Sequence, residues 1–365
     1  MKSSLLLGNI FNIKIYVHWT FLFLLAYVLL IGSDEGLNFD QGILRISFIF
    51  ALFACVVLHE LGHALTARKF GCQTRRIVLL PIGGMAQIEK IPKDPKQELI
   101  VAIAGPIVSF SIAALLYLII DIGGEFPSSD QIKNMNIDDF ISQYFLFYLC
   151  LLNFMLAIFN LIPAFPMDGG RILRAFLAMN MSRLKATKIS VVIGQFLAIL
   201  FVVMAININN PWLAIIGIFI FLAAKGEAMH EDIKSLLSKF KVKDLTMRQY
   251  TALDFNDPIQ KAVDLTLNGQ EKEFIVVNGK TTIGVLTRDD IIKALSKENS
   301  SISLHQAMNE NFLELNPNME LSAAYEQMIL KRFSVAAVIE NNELIGILDI
   351  ENIQEFMLFR NAFKK

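Results

Sequence analysis

The run Val57-Leu58-His59-Glu60-Leu61-Gly62-His63-Ala64 sets two imidazoles four residues apart, with a carboxylate beside the first. On a helix His59 and His63 lie one turn apart on one face, so both reach a single ion, while Glu60 is offset and holds a water beside that ion. Such a set fits zinc hydrolysis, with one Zn2+ per chain. The competing reading is a histidine pair bonded to neighbouring helices; against it, His and Glu are expensive in an apolar segment and functional as a rule. Cys55, one turn before His59, approaches the ion or is a small packing residue.

A catalytic zinc needs a third protein ligand and one open position. The candidate is distant: Asn160-Leu161-Ile162-Pro163-Ala164-Phe165-Pro166-Met167-Asp168-Gly169-Gly170-Arg171 ends an apolar segment, with prolines that interrupt a helix and a glycine pair that permits a tight turn. Asp168 supplies the carboxylate. The alternative for Asp168 is the N-cap of a helix beginning at Gly169.

The elements that carry these residues must be read as lipid-embedded. Apolar residues make up 54% of the chain and charged residues 18%, unlike a soluble domain. Six segments are long and apolar enough to cross a bilayer, near residues 15 to 32, 43 to 66, 99 to 120, 143 to 162, 187 to 207 and 210 to 225. Arg68, Lys69, Arg75, Arg76, Lys90, Lys93 and Lys96 follow the second span, and Arg171, Arg174, Arg183, Lys185 and Lys188 follow the fourth. By the positive-inside rule these loops are cytoplasmic. The loops after the first and third spans carry Asp34, Glu35, Asp40 and then Asp121, Glu125, Asp130, Asp138 and Asp139, and face outward. Both termini then lie inside, and the histidines sit toward the cytoplasmic end of the second span. The expected location is the plasma or inner membrane. Lys2 precedes the first span, but no small-residue cleavage site follows Leu30, so that span reads as a retained helix.

Between the second and third spans, Thr74 to Glu89 has β-branched and apolar residues around Pro81-Ile82-Gly83-Gly84. It reads either as a strand edge open to an unwound substrate or as an amphipathic hairpin at the membrane surface. His18 reads as an interfacial anchor or a second contributor to the site, and Asn153 as a contact between helices. Ala104-Gly105-Pro106 and Gly194-Gln195 read as packing or kink positions without chemistry.

After a linker from Met229 to Phe240 the chain becomes soluble in character. Phe274 to Ile291 is echoed by Ala336 to Ile353, each reading strand, turn, strand, helix. The formal net charge of -1, without a basic tail, gives no argument for a nucleic-acid partner, and none is expected. Three cysteines, Cys55, Cys72 and Cys150, make no disulfide framework.

HELGH, the Asn160 to Arg171 run and the Pro81-Ile82-Gly83-Gly84 loop together resemble the site-2 protease family of intramembrane zinc metalloproteases, in the subgroup that ends in a pair of cystathionine-beta-synthase (CBS) domains. The resemblance implies a polytopic α-helical membrane domain of about six transmembrane helices over 1–228, a linker over 229–240, and an α/β CBS pair over 241–298 and 299–365. It implies zinc bound by His59, His63 and Asp168, Glu60 as the catalytic carboxylate, and Asn160 with Gly83 and Gly84 holding substrate or the oxyanion. The family writes Asn-Pro-x-Pro before the Asp; here Leu161 stands at the first proline. CBS pairs often bind adenine nucleotide, which implies contacts from Thr287 and Asp290, and from Asp349 and Asn352 in the second unit, where Asp replaces the usual hydroxyl; the alternative is a pair that serves only for docking or dimerisation. Implied partners are a single-span membrane protein substrate, the lipid bilayer and a second copy through the CBS domains. A CBS-regulated channel or transporter would not need HELGH with a distant Asp-Gly-Gly run. A non-catalytic scaffold would lack one of His59, Glu60, His63 or Asp168.

Overall fold

The computed structural model describes residues 4–362 apart from 35–38, 82, 89–91, 93, 124–125, 136, 270–271, 280, 297–302 and 342. Lys2, Glu35, Ile82, Glu89, Lys90, Lys93, Glu125 and the division at 298/299 fall outside the described residues. The chain forms two compact units, Met1–Ala228 and Met229–Lys365.

The first unit opens with a hairpin, β1 (Ser4–Ile10) and β2 (Ile13–His18), then α1 (Phe21–Asp34), α2 (Phe39–Lys69), β3 (Thr74–Leu80) and β4 (Gly83–Ile88). It continues with α3 (Pro95–Gly123), α4 (Ser129–Asn134), α5 (Ile137–Asn160), α6 (Asp168–Ala178), α7 (Arg183–Asn207) and α8 (Pro211–Leu237), which carries the chain toward the second unit. Among the described residues, five helices are long and apolar enough to cross a membrane: α2, α3, α5 from Asp139, α7 and α8. The expected first span begins later than the sequence suggests: residues 15–18 are strand, and the apolar helix α1 starts at Phe21. The physical reason is pairing: Ser4 to Ile10 lies opposite Ile13 to His18 and draws that stretch into a sheet.

Packing in this unit places small residues inside and large ones outside. On α7 the buried set includes Ala186, Ser190, Gly194, Ala198 and Ala205, whereas Val192, Phe196 and Ile199 are exposed. That suits helices in lipid, where close backbone approach replaces a water-driven core. The strands form one sheet in the order β1-β2-β3-β4, with β2 and β3 parallel. Ile13, Ile15, Ile77 and Leu79 face Phe53, Val57, Leu61 and Ala64 of α2 in one cluster. The sheet is therefore held against the helix that bears the histidines.

The second unit contains α9 (Val242–Leu245), β5 (Ala252–Asp254), α10 (Ile259–Gly269), β6 (Glu273–Asn278), β7 (Thr281–Thr287) and α11 (Arg288–Leu295). After these come α12 (Leu304–Ala307), β8 (Glu314–Leu315), α13 (Leu321–Lys331), β9 (Val335–Glu340), β10 (Glu343–Asp349) and α14 (Ile350–Ala362). Two three-stranded sheets, β5-β6-β7 and β10-β9-β8, repeat one plan. The halves interlock through their connecting segments: Met247 bridges Ile347 of β10, and Asn309 bridges Val285 of β7. Gly346 and Gly284 permit those crossings, since an added Cβ would lie 2.5 Å from Met247 O and 3.0 Å from Asn309 O.

Candidate metal centre

His59 and His63 project from α2 with their Nε2 atoms 3.2 Å apart, and Asp168 Oδ2 lies 3.2 Å from the first and 3.1 Å from the second. All three residues are buried. Among the described residues they form a group whose ligand atoms lie within 4.8 Å of one another. Zinc bonds of about 2.0 to 2.1 Å in a tetrahedron require ligand atoms about 3.3 Å apart, so this cluster fits the ion. The far sides of the rings fit as well. His63 Nδ1 donates to Val101 O at 2.8 Å, and His59 Nδ1 pairs with Ser109 Oγ at 2.9 Å, which orients both rings with Nε2 toward the centre.

Both supports come from α3, and its approach depends on glycine. A Cβ on Gly105 would stand 2.2 Å from His63 Nε2 and 2.6 Å from His59 Nε2, and one on Gly62 would meet Val108 at 2.8 Å. Sequence reasoning treated Gly105 as packing alone and did not single out Ser109 or Val101. The available signal was Gly105 followed four residues later by Ser109, which puts a gap and a hydroxyl on one helix face.

Asp168 reaches the histidines because the chain breaks between α5 and α6. Leu161 N–H donates to Ala157 O at 3.1 Å, a bond that proline at this position could not make, and then turns carry the chain through a cis Phe165–Pro166 bond. Asp168 is not an N-cap: Met167 holds that position, and Asp168 opens the helix with its side chain on the imidazoles. The glycine pair makes no tight turn. Gly169 and Gly170 are helical, and side chains there would collide with Ile162 O at 2.2 Å and the Ala164 carbonyl carbon at 2.7 Å.

Glu60 lies beside this cluster and against the sheet, with its Cγ 2.9 Å from where a Cβ of Gly84 would be. Gly84 belongs to β4, the edge strand, and Gly83 has φ 137°, a backbone open to glycine. The segment is a hairpin, β3 paired antiparallel with β4, and β4 forms an edge of the sheet, so it carries features of both readings. Asn160 closes α5, and its side chain donates to Leu156 O at 3.0 Å. Cys55 packs with Phe48, Ile141 and Leu149, and His18 contacts Thr20 Oγ1 at 2.8 Å. Neither joins the metal cluster. Arg174, counted above as a loop charge, is instead buried on α6.

In the second unit, Thr287 and Asp290 meet at the start of α11. Thr287 Oγ1 donates to Asp290 Oδ2 at 2.7 Å, and Asp290 N donates to Thr287 Oγ1 at 3.3 Å. They line a cleft of about 590 Å³ with the cations Arg288, Lys293, Lys331 and Arg332, and with Lys272, Glu273 and Asp289. Asp349 and Asn352 do not line it. Asp349 accepts from Glu351 N at 2.8 Å, and Asn352 donates to Leu245 O at 3.2 Å. Burial pushes Glu273 up to about 7, with the Asp349 and Glu351 charges adding to the rise, and burial likewise raises Asp349.

A buried His-His-carboxylate cluster with an adjacent glutamate, set among apolar spanning helices, defines an integral membrane metallohydrolase. The family model Peptidase family M50 matches residues 47–204, and the CBS domain model matches 242–297 and 303–358. Zinc metalloprotease MJ0392 of Methanocaldococcus jannaschii is 35% identical over 294 residues, 80% of this chain and 80% of its own. The sll0528 protein of Synechocystis is 27% identical over 373 residues, 97% of this chain and 95% of its own. The solved structure of the site-2 protease from Methanocaldococcus jannaschii is 39% identical, covering 62% of this chain and 95% of that one with a TM-score of 0.46. The chain belongs to peptidase family M50, as a zinc metalloprotease of the site-2 type with a C-terminal CBS pair.

Because the space at Gly105 is filled by the imidazoles, Gly105→Ala is expected to lower zinc affinity about 10- to 100-fold while helix content is retained. Metal analysis of the purified protein alongside circular dichroism checks this. Full zinc occupancy under competition by a chelator would contradict it.

Proposed function

We propose that this protein cleaves single-span membrane proteins inside the bilayer, with His59, His63 and Asp168 holding one zinc and Glu60 as the general base. The observation that carries the reading is the meeting of the His59 and His63 Nε2 atoms with Asp168 Oδ2 from α6, at 3.1 to 3.2 Å. Bound zinc supplies Lewis acidity toward a water and the scissile carbonyl. Glu60 takes the proton of the attacking water on a carboxylate oxygen and returns it to the nitrogen of the leaving amine. A substrate helix has its carbonyls already bonded, so it unwinds before attack. The edge of β4 accepts the unwound segment by main-chain pairing, with Gly83 and Gly84 permitting close approach, and Asn160 contributes to substrate or oxyanion binding.

Glu60→Gln is expected to abolish cleavage while the protein keeps about one zinc per chain, and His59→Ala or Asp168→Ala to lower zinc occupancy. A transmembrane reporter substrate and metal analysis separate the roles. Cleavage at the native rate by Glu60→Gln would sink the proposal.

The orientation follows from charge. Arg68 and Lys69 end α2, and Lys185 and Lys188 lie in the first turns of α7, which supports a cytoplasmic location for those ends, for the metal centre near them and for the CBS pair. In a background lacking Cys55, Cys72 and Cys150, a cysteine at Ser129 is expected to react with an impermeant reagent added outside whole cells. A cysteine at Ser182 is expected to react only after permeabilisation. The opposite pattern would invert the topology.

The CBS pair binds an adenine nucleotide that modulates access to the zinc. The support is the cleft beside Thr287 and Asp290, where Arg288, Lys293, Lys331 and Arg332 offer positive charge for phosphates and Asp290 a carboxylate for ribose. At the equivalent place in the second half Asp349 accepts from Glu351 N, and neither Asp349 nor Asn352 lines that cleft. Calorimetry on residues 240–365 is expected to give one ATP, ADP or AMP per pair, weakened about tenfold or more in Asp290→Ala. A nucleotide that favours one arrangement by about 1 to 3 kcal/mol alters cleavage several-fold to about a hundredfold. No binding at millimolar concentration would leave the pair as a docking or dimerisation module.

A further inference from the structure

Arg174 is 1% exposed and Glu98 2% exposed, two charges withdrawn from solvent in a unit made for lipid. Withdrawal of such charges is expensive, and a well-packed apolar pair is often at least as stable, so the pair's contribution is sought in geometry. Arg174 Nε and Nη2 both donate to Glu98 Oε1, at 3.0 and 2.6 Å. This two-pronged bond ties α6 to the first turn of α3. Arg183 adds two bonds to Glu98 from α7, Nη1 to Oε2 at 2.5 Å and Nη2 to Oε1 at 3.2 Å, and Arg174 Nη1 donates to Glu227 of α8.

The two helices so joined carry opposite sides of the metal centre. Asp168 opens α6 six residues before Arg174, and Val101, three residues after Glu98, receives the His63 Nδ1–H at 2.8 Å. The segment between α5 and α6 is all turns, and Arg174 also bears on it: its guanidinium lies 5.1 Å from the centre of the buried Phe165 ring. A ligand on so short a helix after an irregular segment needs an anchor beyond its own turn. We propose that Glu98 and Arg174 are positioning residues for the metal, their ion pair setting the Asp168 carboxylate against His59 and His63. The inference rests on the reading of those three residues as zinc ligands.

The test uses the full chain in detergent, with zinc affinity read by chelator competition and the visible absorption of the cobalt-substituted protein reading ligand geometry. Arg174→Lys keeps the charge but loses the fork, and Glu98→Gln keeps the shape but loses the charge. Both are expected to weaken zinc binding about 10- to 100-fold and to alter the cobalt bands, with helix content retained. Arg183→Gln, which removes the more exposed partner of Glu98 but leaves the Arg174 fork, is expected to cost clearly less than either variant. If a single variant fails to accumulate, the doubly neutral Glu98→Gln with Arg174→Gln decides, and is expected to show the same loss. Native affinity and bands in the folded Arg174 or Glu98 variants would overturn the proposal, as would an equal loss in Arg183→Gln, which would assign the effect to general packing. A native protein that takes up neither zinc nor cobalt would instead overturn the ligand assignment beneath it.

Discussion

Burying a polar side chain in a bundle of apolar helices is expensive unless its polar atoms have partners, and the imidazoles of His59 and His63 find theirs on two different helices. Their Nδ1 atoms are satisfied by Val101 and Ser109 on α3, and their Nε2 atoms converge on Asp168 of α6. Everything else near the centre serves that convergence. Gly62 and Gly105 bring α2 and α3 together, and Gly169 and Gly170 let the turns after α5 lie on α6. The same scarcity of water that makes these groups expensive also makes them precise, since a buried donor has few alternative partners.

The sheet extends this logic from metal to substrate. A transmembrane peptide carries its hydrogen bonds within its own helix, and an edge strand offers replacement partners once the helix opens. β4 occupies that edge, and Gly84 stands against Glu60. Its neighbours β2 and β3 fasten it to α2 through Ile15, Ile77 and Leu79. The base and the proposed landing strand are thus referred to one helix.

The second unit shows how a repeat becomes asymmetric. Gly284 and Gly346 do the same work in the two halves, admitting the segment that crosses each sheet. The polar positions then diverge. Thr287 and Asp290 cap α11 at the lip of a cleft that gathers four cations, whereas Asp349 accepts from Glu351 N and does not line that cleft.

Much of this was legible from local pattern alone. The His59 to His63 spacing follows from helical period, the later spans from continuous apolar length, and the CBS halves from an internal echo; each is information held within about twenty residues. The misreadings have a common origin. Residues 15–18 are apolar enough for a span but pair with β1, Gly169 and Gly170 serve close packing rather than a turn, and Arg174 counted as a loop charge although Glu98 buries it. The sequence by itself determined the ligand types, the carboxylate beside them and the apolar surroundings. Only the tertiary structure decided that Asp168 meets the histidines, that Gly105 leaves them room and that Arg174 anchors to Glu98. Those choices depend on which helix faces touch across 38 to 109 residues of chain, a relation no local periodicity encodes.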